Sequence, residues 1–411
     1  MEYGVTTHHR PPHGSWGYDR VSSCFTPIAQ SLFVKLLKDF LNVTQGLTLP
    51  LLSWAAWLWM NQNPQGSSLD ALGVQSLEIQ GGAIFALMMG CVFSVDLFAD
   101  RLAERLGEPY GTLVLTLSAT IIEVSLLLQI MVSGDHNPSL MRDTVYATLM
   151  LVLNGIVGIS LTAGGWRHIE QAFDLRGALA YFHIIAPLSL FVLVLPNYTG
   201  TDGKPTLEPS QEAFLGILCL VVYGVFLRLQ MGRHRSHFGH VASTEWVSPR
   251  KESRTFGFGR KRSLMWPVMG LGAALAPIVL LSEHLAQIFD HGIQMLKWPA
   301  GFGGLLITSL VLAPEGLGAL RAALSNRMQR SINICLGSAL STIALTVPTV
   351  LIASALMGHS LVLGVKATDM ILLSATLLVV LVTFVSGKAN LLQGIVHLMI
   401  FIAYLFFMFK P

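Results

Sequence analysis

Eleven apolar segments follow one another along this chain, each close to the length that a helix needs to cross a bilayer. A membrane-spanning helix needs about 20 apolar residues. The segments are residues 43–60, 81–98, 111–132, 144–163, 179–195, 213–231, 264–288, 299–324, 332–357, 370–385 and 391–409. Only 12% of the 411 residues are charged, whereas soluble domains carry about 25%. The sequence therefore predicts an all-α polytopic protein with about eleven transmembrane helices in a lipid bilayer.

The basic residues are distributed unevenly between the two sides that these segments define. Of the 26 Lys and Arg residues, 21 lie before the first segment or near the loops that follow even-numbered segments, and 5 lie on the opposite side. Cytoplasmic loops of membrane proteins are enriched in Lys and Arg. The split therefore predicts a cytoplasmic N-terminus. The net charge of +3 is too small to indicate a nucleic-acid partner.

The pattern divides the chain into five regions. They are a cytoplasmic tail with an interfacial helix (1–42), an extra transmembrane helix (43–60), a first set of five helices (81–231), a basic cytoplasmic linker (232–263) and a second set of five helices (264–411). The linker contains His234, His237 and His240. A solvated loop is the interpretation that its many Arg residues favour, and a metal-sensing cluster is the alternative.

Two acidic residues lie near the middle of apolar segments, and the sequences around them resemble each other. GTLVLTLSATIIE (111–123) aligns with GGLLITSLVLAPE (303–315), which pairs Glu123 with Glu315. Each Glu lies on the second helix of a five-helix set. Because five is odd, the two sets enter the membrane in opposite directions, as in many secondary transporters. We therefore predict two inverted five-helix repeats plus one N-terminal helix.

An ionisable side chain inside the bilayer is costly and is a functional candidate by default. Glu123 and Glu315 are therefore predicted to form a central site that binds a cation or protons. A cation stabilises the charged carboxylates, whereas protons neutralise them, so the two compete for the same oxygens. Pro314 also leaves the carbonyl oxygen of Leu310 without its helical donor.

Other polar side chains are predicted to line this site. They are Thr116, Thr120, Thr308, Ser309, Asn154, Asn333 and Ser338. Hydrogen bonding between helices, or to the preceding turn of the same helix, is the alternative role for each of them.

Three further features leave alternatives open. Glu283 and His284 are predicted to form a proton path, with a structural pair or a pair at the lipid interface as the alternative. Asp96 and Asp100, at the cytoplasmic end of the second segment, either attract cations or only solvate the helix end. The enzyme motifs HExxH and Walker A do not occur, so we predict no enzymatic activity.

Four stretches carry a family resemblance. They are RLAERLGEPYGTLVLTLSATIIEVSL (101–126), LMRDTVY (140–146), LAPEGLGAL (312–320) and GSALSTIALTVP (337–348). They resemble the bacterial calcium/proton antiporters of the ChaA type, within the cation/calcium exchanger superfamily. The resemblance implies two inverted repeats in the bacterial inner membrane, a central acidic pair, and exchange of Ca2+, and of Na+ or K+, for protons. These ions are substrates, and no cofactor is expected.

One departure from the family bears on selectivity. The wider calcium exchangers have Gly-Asn four and three residues before each Glu, where this chain has Ala119-Thr120 and Val311-Leu312. Two amide oxygens are thus missing, and Ca2+ needs about 6 to 8 oxygen ligands. We therefore predict Na+ or K+ exchange beside Ca2+ exchange. A passive cation channel and a monovalent antiporter without Ca2+ transport are the alternatives.

Overall fold

The computed structural model describes residues 46–62, 74–106, 110–133, 138–200, 205–231, 265–299, 301–358 and 361–410. The predicted interfacial helix within residues 1–42 lies outside these ranges. So does the basic linker, with its three His residues.

Helices make up nearly all of the described chain. They are α1 (Thr48–Gln62), α2 (Val74–Leu106), α3 (Tyr110–Ser133), α4 (Leu140–Met150), α5 (Val157–His168), α6 (Leu175–Leu193), α7 (Pro196–Thr199), α8 (Pro209–Met231), α9 (Met265–Leu296), α10 (Gly301–Leu324), α11 (Met328–Ser341), α12 (Val347–Met357), α13 (Ala367–Val385) and α14 (Leu391–Phe409). Two short strands, β1 (Glu170–Ala172) and β2 (Lys388–Asn390), complete the set.

The helices follow the apolar segments, which confirms the predicted fold class of an all-α polytopic membrane protein. Nine helical stretches in the described residues are long and apolar enough to cross a membrane. The other two predicted spans coincide with α1, which has 15 residues, and with α3, whose described apolar part is Thr116–Gln129. The count of eleven spans stays a prediction. The longest helix, α2, has 33 residues.

Two of the long helical stretches contain a wider helical turn. The segment Leu151–Ile156 joins α4 to α5, and Thr342–Thr346 joins α11 to α12, and both are π-helical. Such turns inside α-helices occur frequently at functional sites, because they re-aim the side chains that follow. Here they lie in the fourth and the ninth predicted spans.

Residues 81–231 and 264–411 are connected at both ends of the helices. Strand β1 pairs antiparallel with β2, and Glu170 lies opposite Asn390. At the other end of α6, Thr206 forms an isolated bridge with Val362. Each connection joins a loop of the first set of helices to a loop of the second.

Glycines allow the closest helix contacts. A Cβ atom at Gly304 of α10 would lie 2.8 Å from the backbone of Asp143 and Thr144. A Cβ at Gly394 of α14 would collide with Thr162 of α5. Because small residues let helix backbones approach closely in membranes, these positions hold α10 and α14 against the α4–α5 stretch at the centre of the bundle.

Candidate cation site

Glu123 lies on α3 and is only 5% exposed. Its Oε2 atom accepts a hydrogen bond from Thr346 Oγ1 at 2.6 Å and a second from Thr342 Oγ1 at 3.1 Å. Both donors belong to the π-helical segment Thr342–Thr346. Hydrogen bonds to a charged group are about twice as strong as those between neutral groups. The two threonines therefore stabilise Glu123 as a carboxylate deep inside the bundle.

Glu315 lies on α10 and has a different environment. Ser338 of α11 donates a hydrogen bond to its carboxylate, but the buried Oε2 atom has no partner among the described residues. A buried polar atom without a partner is costly. Glu315 therefore retains an oxygen that a proton or a cation can satisfy.

Glu315 borders a cavity of about 390 Å³. The polar residues that line this cavity are Asp96, Asp100, Thr116, Ser118, Tyr181, Tyr223, Gln230, Glu315, Arg330, Asn333, Ser338 and Ser341. The cavity reaches the exposed side chains of Asp100 and Arg330, at the end of the helices that the charge pattern predicts to face the cytoplasm. The cavity thus extends from one face of the bundle to a buried carboxylate.

The structure brings only part of the predicted lining together at this cavity. Thr116, Asn333 and Ser338 border it. Thr120, Thr308, Ser309 and Asn154 are not among the residues that line it.

The side chains of three residues outside the lining have other partners. Thr120 donates to the carbonyl of Thr116 at 2.9 Å. The Thr308 hydroxyl lies 3.1 Å from that of Thr148 on α4. Asn154 donates to Thr376 at 2.8 Å. In this conformation Thr120 bonds to the preceding turn of its own helix, whereas Thr308 and Asn154 each bond to another helix. The role of these side chains as ligands stays a prediction.

Thr342 and Thr346, which both donate to Glu123, were not included in the predicted lining. Two Thr residues four positions apart share one helix face, so the sequence signals a polar face on the ninth span. That this face meets Glu123, 219 residues away from Thr342, follows only from the packing of α3 against the π-helical segment.

The sequence of this chain is similar to those of known proteins. A family model described as "Sodium/calcium exchanger protein" matches residues 80–232 and 266–410. The chain belongs to this family. The "Putative ionic transporter y4hA" of Sinorhizobium fredii is 39% identical to this chain over 321 residues. The match covers 78% of this chain and 85% of that protein. The "Sodium-potassium/proton antiporter ChaA" of Escherichia coli is 36% identical over 324 residues, 78% and 86% of the two chains.

Solved structures share the fold. The "H+/Ca2+ Exchanger CAX" has a TM-score of 0.63 and 13% sequence identity, over 90% of this chain and 88% of that one. The structure of native YfkE has a TM-score of 0.60 and 17% identity, over 80% of this chain and 92% of that one. The predicted resemblance to an antiporter family of the exchanger superfamily is confirmed.

A buried polar network surrounds His397. His397 of α14 has its Nδ1 atom 3.3 Å from Asn154 Oδ1 and its Nε2 atom 3.0 Å from Thr383 Oγ1. An amide oxygen only accepts hydrogen bonds, so Nδ1 carries the proton and the Thr383 hydroxyl donates to Nε2. Together with the bond from Asn154 to Thr376, this network joins the π-helical segment Leu151–Ile156 to α13 and α14.

Charged residues also meet at the opposite end of the exchanger. Arg142 forms an ion pair of 2.7 Å with Asp143 and donates to the carbonyl of Gly364 at 3.3 Å. A second cavity, of about 120 Å³, is bordered by Arg142, Asp143, Lys366 and Asp369. Arg142 belongs to the first set of helices and Gly364 to the loop before α13. This cluster therefore connects the two sets at the end away from the larger cavity.

The residues of the predicted proton path have unequal environments. Glu283 on α9 is exposed, whereas Nδ1 of His284 is buried and has no partner among the described residues. Across the described ranges, no group of three or more His, Cys, Asp or Glu side chains is arranged to hold a metal ion.

Proposed function

We propose that the chain is a secondary transporter that exchanges Ca2+, and also Na+ or K+, for protons, with cation and protons competing for Glu123 and Glu315. One observation carries this proposal. The buried carboxylate of Glu315 has an oxygen that finds no partner within the described part of the chain, and it borders a cavity that reaches one face of the bundle.

The physical basis is the cost of charge inside the membrane. A carboxylate at bilayer depth is stable when a proton or a cation compensates it, and an unpaired charge there is strongly unfavourable. Binding of one species therefore displaces the other. The transporter then changes between its inward-open and outward-open arrangements with either the cation or protons bound, which couples the cation gradient to the proton gradient.

Alternating access requires two arrangements of the helices around one site. Inverted repeats provide them, because the same fold can open to either side. The π-helical segments in corresponding spans support this layout. So do the reciprocal loop connections, in which β1 and β2 join at one end and Thr206 and Val362 join at the other.

We further propose a bacterial inner membrane location with the N-terminus in the cytoplasm. The split of 21 to 5 in basic residues supports this orientation. With it, the larger cavity opens to the cytoplasm and the Arg142–Asp143 cluster lies at the outer face. The structure then corresponds to the state that receives a cytoplasmic cation. The name of the Escherichia coli relative supports Na+ and K+ as substrates beside Ca2+.

Exchange in vesicles tests this function. The purified protein is reconstituted with a pH-sensitive dye inside, the membrane potential is clamped, and an outward gradient of Ca2+, Na+ or K+ is imposed in turn. We expect each gradient to drive protons in the opposite direction. Cation flux without proton movement would identify a passive channel. Proton movement with Na+ or K+ but none with Ca2+ would identify a monovalent antiporter.

A further inference from the structure

We propose that Asp96 is a third carboxylate of the transport pathway, which takes the cation from the cytoplasmic mouth, passes it to Glu315 and favours divalent over monovalent ions. This inference rests on the proposed function. Neither the predicted central pair nor the predicted lining includes Asp96.

Position is the first argument. Asp96 lies on α2, is half-buried, and borders the same cavity as Glu315. Asp100, one helical turn further along α2, is exposed at the mouth. Helix α2 packs against α3, α9 and α10. A cation that enters at Asp100 therefore passes Asp96 before it reaches Glu315.

Charge is the second argument. The charged residues that line the cavity are Asp96, Asp100, Glu315 and Arg330, so its formal charge is negative when the acids are ionised. Asp96 and Glu315 border the same cavity, so their negative charges repel each other when both are ionised. A cleft lined by charges of one sign concentrates counter-ions. A cation inside this cavity therefore compensates the negative charges of Asp96 and Glu315.

Coordination chemistry is the third argument. Ca2+ takes about 6 to 8 oxygen ligands, and its affinity rises with the number of charged ones. Thr116, Asn333 and Ser338 supply neutral oxygens at the cavity. Asp96 supplies what they lack, a second negative charge close to Glu315 on the cavity side.

The test measures selectivity of purified variants in vesicles. Asp96→Asn keeps one side-chain oxygen and removes the negative charge, whereas Asp96→Glu keeps the carboxylate and its charge. Asp100→Asn makes the same change one turn nearer to solvent. Glu170→Gln is the matched control, because Glu170 is an exposed acid outside the cavity, paired with Lys388. Half-saturating concentrations of Ca2+ and Na+ are measured at low and high ionic strength.

We expect Asp96→Asn to raise the half-saturating Ca2+ concentration by about tenfold and that for Na+ by much less, since ligand charge tunes Ca2+ affinity. Asp96→Glu should restore most of the Ca2+ preference. Glu170→Gln should match the wild type. This pattern at both ionic strengths supports a direct ligand.

Three results would overturn the inference. The first is an unchanged ratio of Ca2+ to Na+ affinity in Asp96→Asn. The second is an equal effect of Asp96→Asn and Asp100→Asn that disappears at high salt, because screening removes only general attraction. The third result concerns the case in which Asp96→Asn is inactive or unstable. Asp96→Ser, which has a smaller side chain, is then measured instead, and a wild-type preference for Ca2+ in that variant would overturn the inference. Absence of exchange in the wild type would instead contradict the proposed function itself.

Discussion

The two central carboxylates differ in how they are held. Glu123 accepts two threonine hydrogen bonds, whereas Glu315 keeps a buried oxygen that no described residue contacts by a hydrogen bond. A sequence alignment that pairs them suggests equivalence. The difference arises because Thr342 and Thr346 meet Glu123, while Asn154 in the other π-helical segment turns to Thr376 and His397. The site is therefore asymmetric although the segments that carry it are similar.

Neutralising either carboxylate should stop exchange. Glu123→Gln and Glu315→Gln keep the side-chain shape but cannot alternate between charge and proton. We expect both to retain less than about a tenth of wild-type exchange, since intramembrane acids are retained for function. Vesicle assays at matched protein amounts measure this, with size-exclusion profiles as the control for folding. Substantial transport by both variants would contradict a central acidic pair.

The threonine that makes the 2.6 Å contact should matter more than its neighbour one turn on. Thr346→Val removes a donor to Glu123, and a hydrogen bond to a charged group contributes about 1.5 to 3 kcal/mol. We expect the half-saturating cation concentration to rise roughly tenfold at constant pH. Thr349→Val is the control, since Thr349 is exposed and bonds only to the carbonyl of Leu345. Equal effects of the two variants would count against a role of Thr346 at the site.

At the scale of elements, the apolar runs predict the helices well and their interruptions poorly. Segment 391–409 coincides with α14, because an apolar run in lipid has to satisfy its backbone within a helix. The hydropathy of the sequence does not predict the π-helical turns at Leu151–Ile156 and Thr342–Thr346. The pairing of β1 with β2 joins residues more than 200 positions apart, and only tertiary packing determines it.

The Asn154 network should stabilise the packing of α13 and α14 on the α4–α5 stretch. Asn154→Ala removes the amide oxygen next to His397 Nδ1 and the donor to Thr376, whose hydroxyl keeps its own bond to the carbonyl of Leu372. A buried donor left without its acceptor costs about 1 to 3 kcal/mol. We expect a clear decrease in the Tm of the purified protein in detergent. Ser374→Ala is the control, because Ser374 is exposed and bonds only within α13. An unchanged Tm in Asn154→Ala would show that the network adds no stability.

At the scale of the molecule, orientation follows from charge and can be tested directly. The predicted topology places the N-terminus and the linker 232–263 in the cytoplasm and the C-terminus on the other side. Single cysteines in the linker and at Lys410, in a background without the four native Cys residues, are labelled with an impermeant reagent in intact cells. We expect labelling at position 410 alone. Labelling of both positions, or of the linker only, would refute the topology.

The length of α2 ties this site to the thickness of its membrane. Helices α2 and α9 have 33 and 32 residues, so at about 1.5 Å per residue each is about 50 Å long, against a hydrocarbon core of about 30 Å. They must tilt or extend into water. Because Asp96 lies on α2 and Glu315 on α10, a change of tilt changes their separation. Acyl-chain length, which sets the preferred tilt, thereby becomes a variable of ion selectivity.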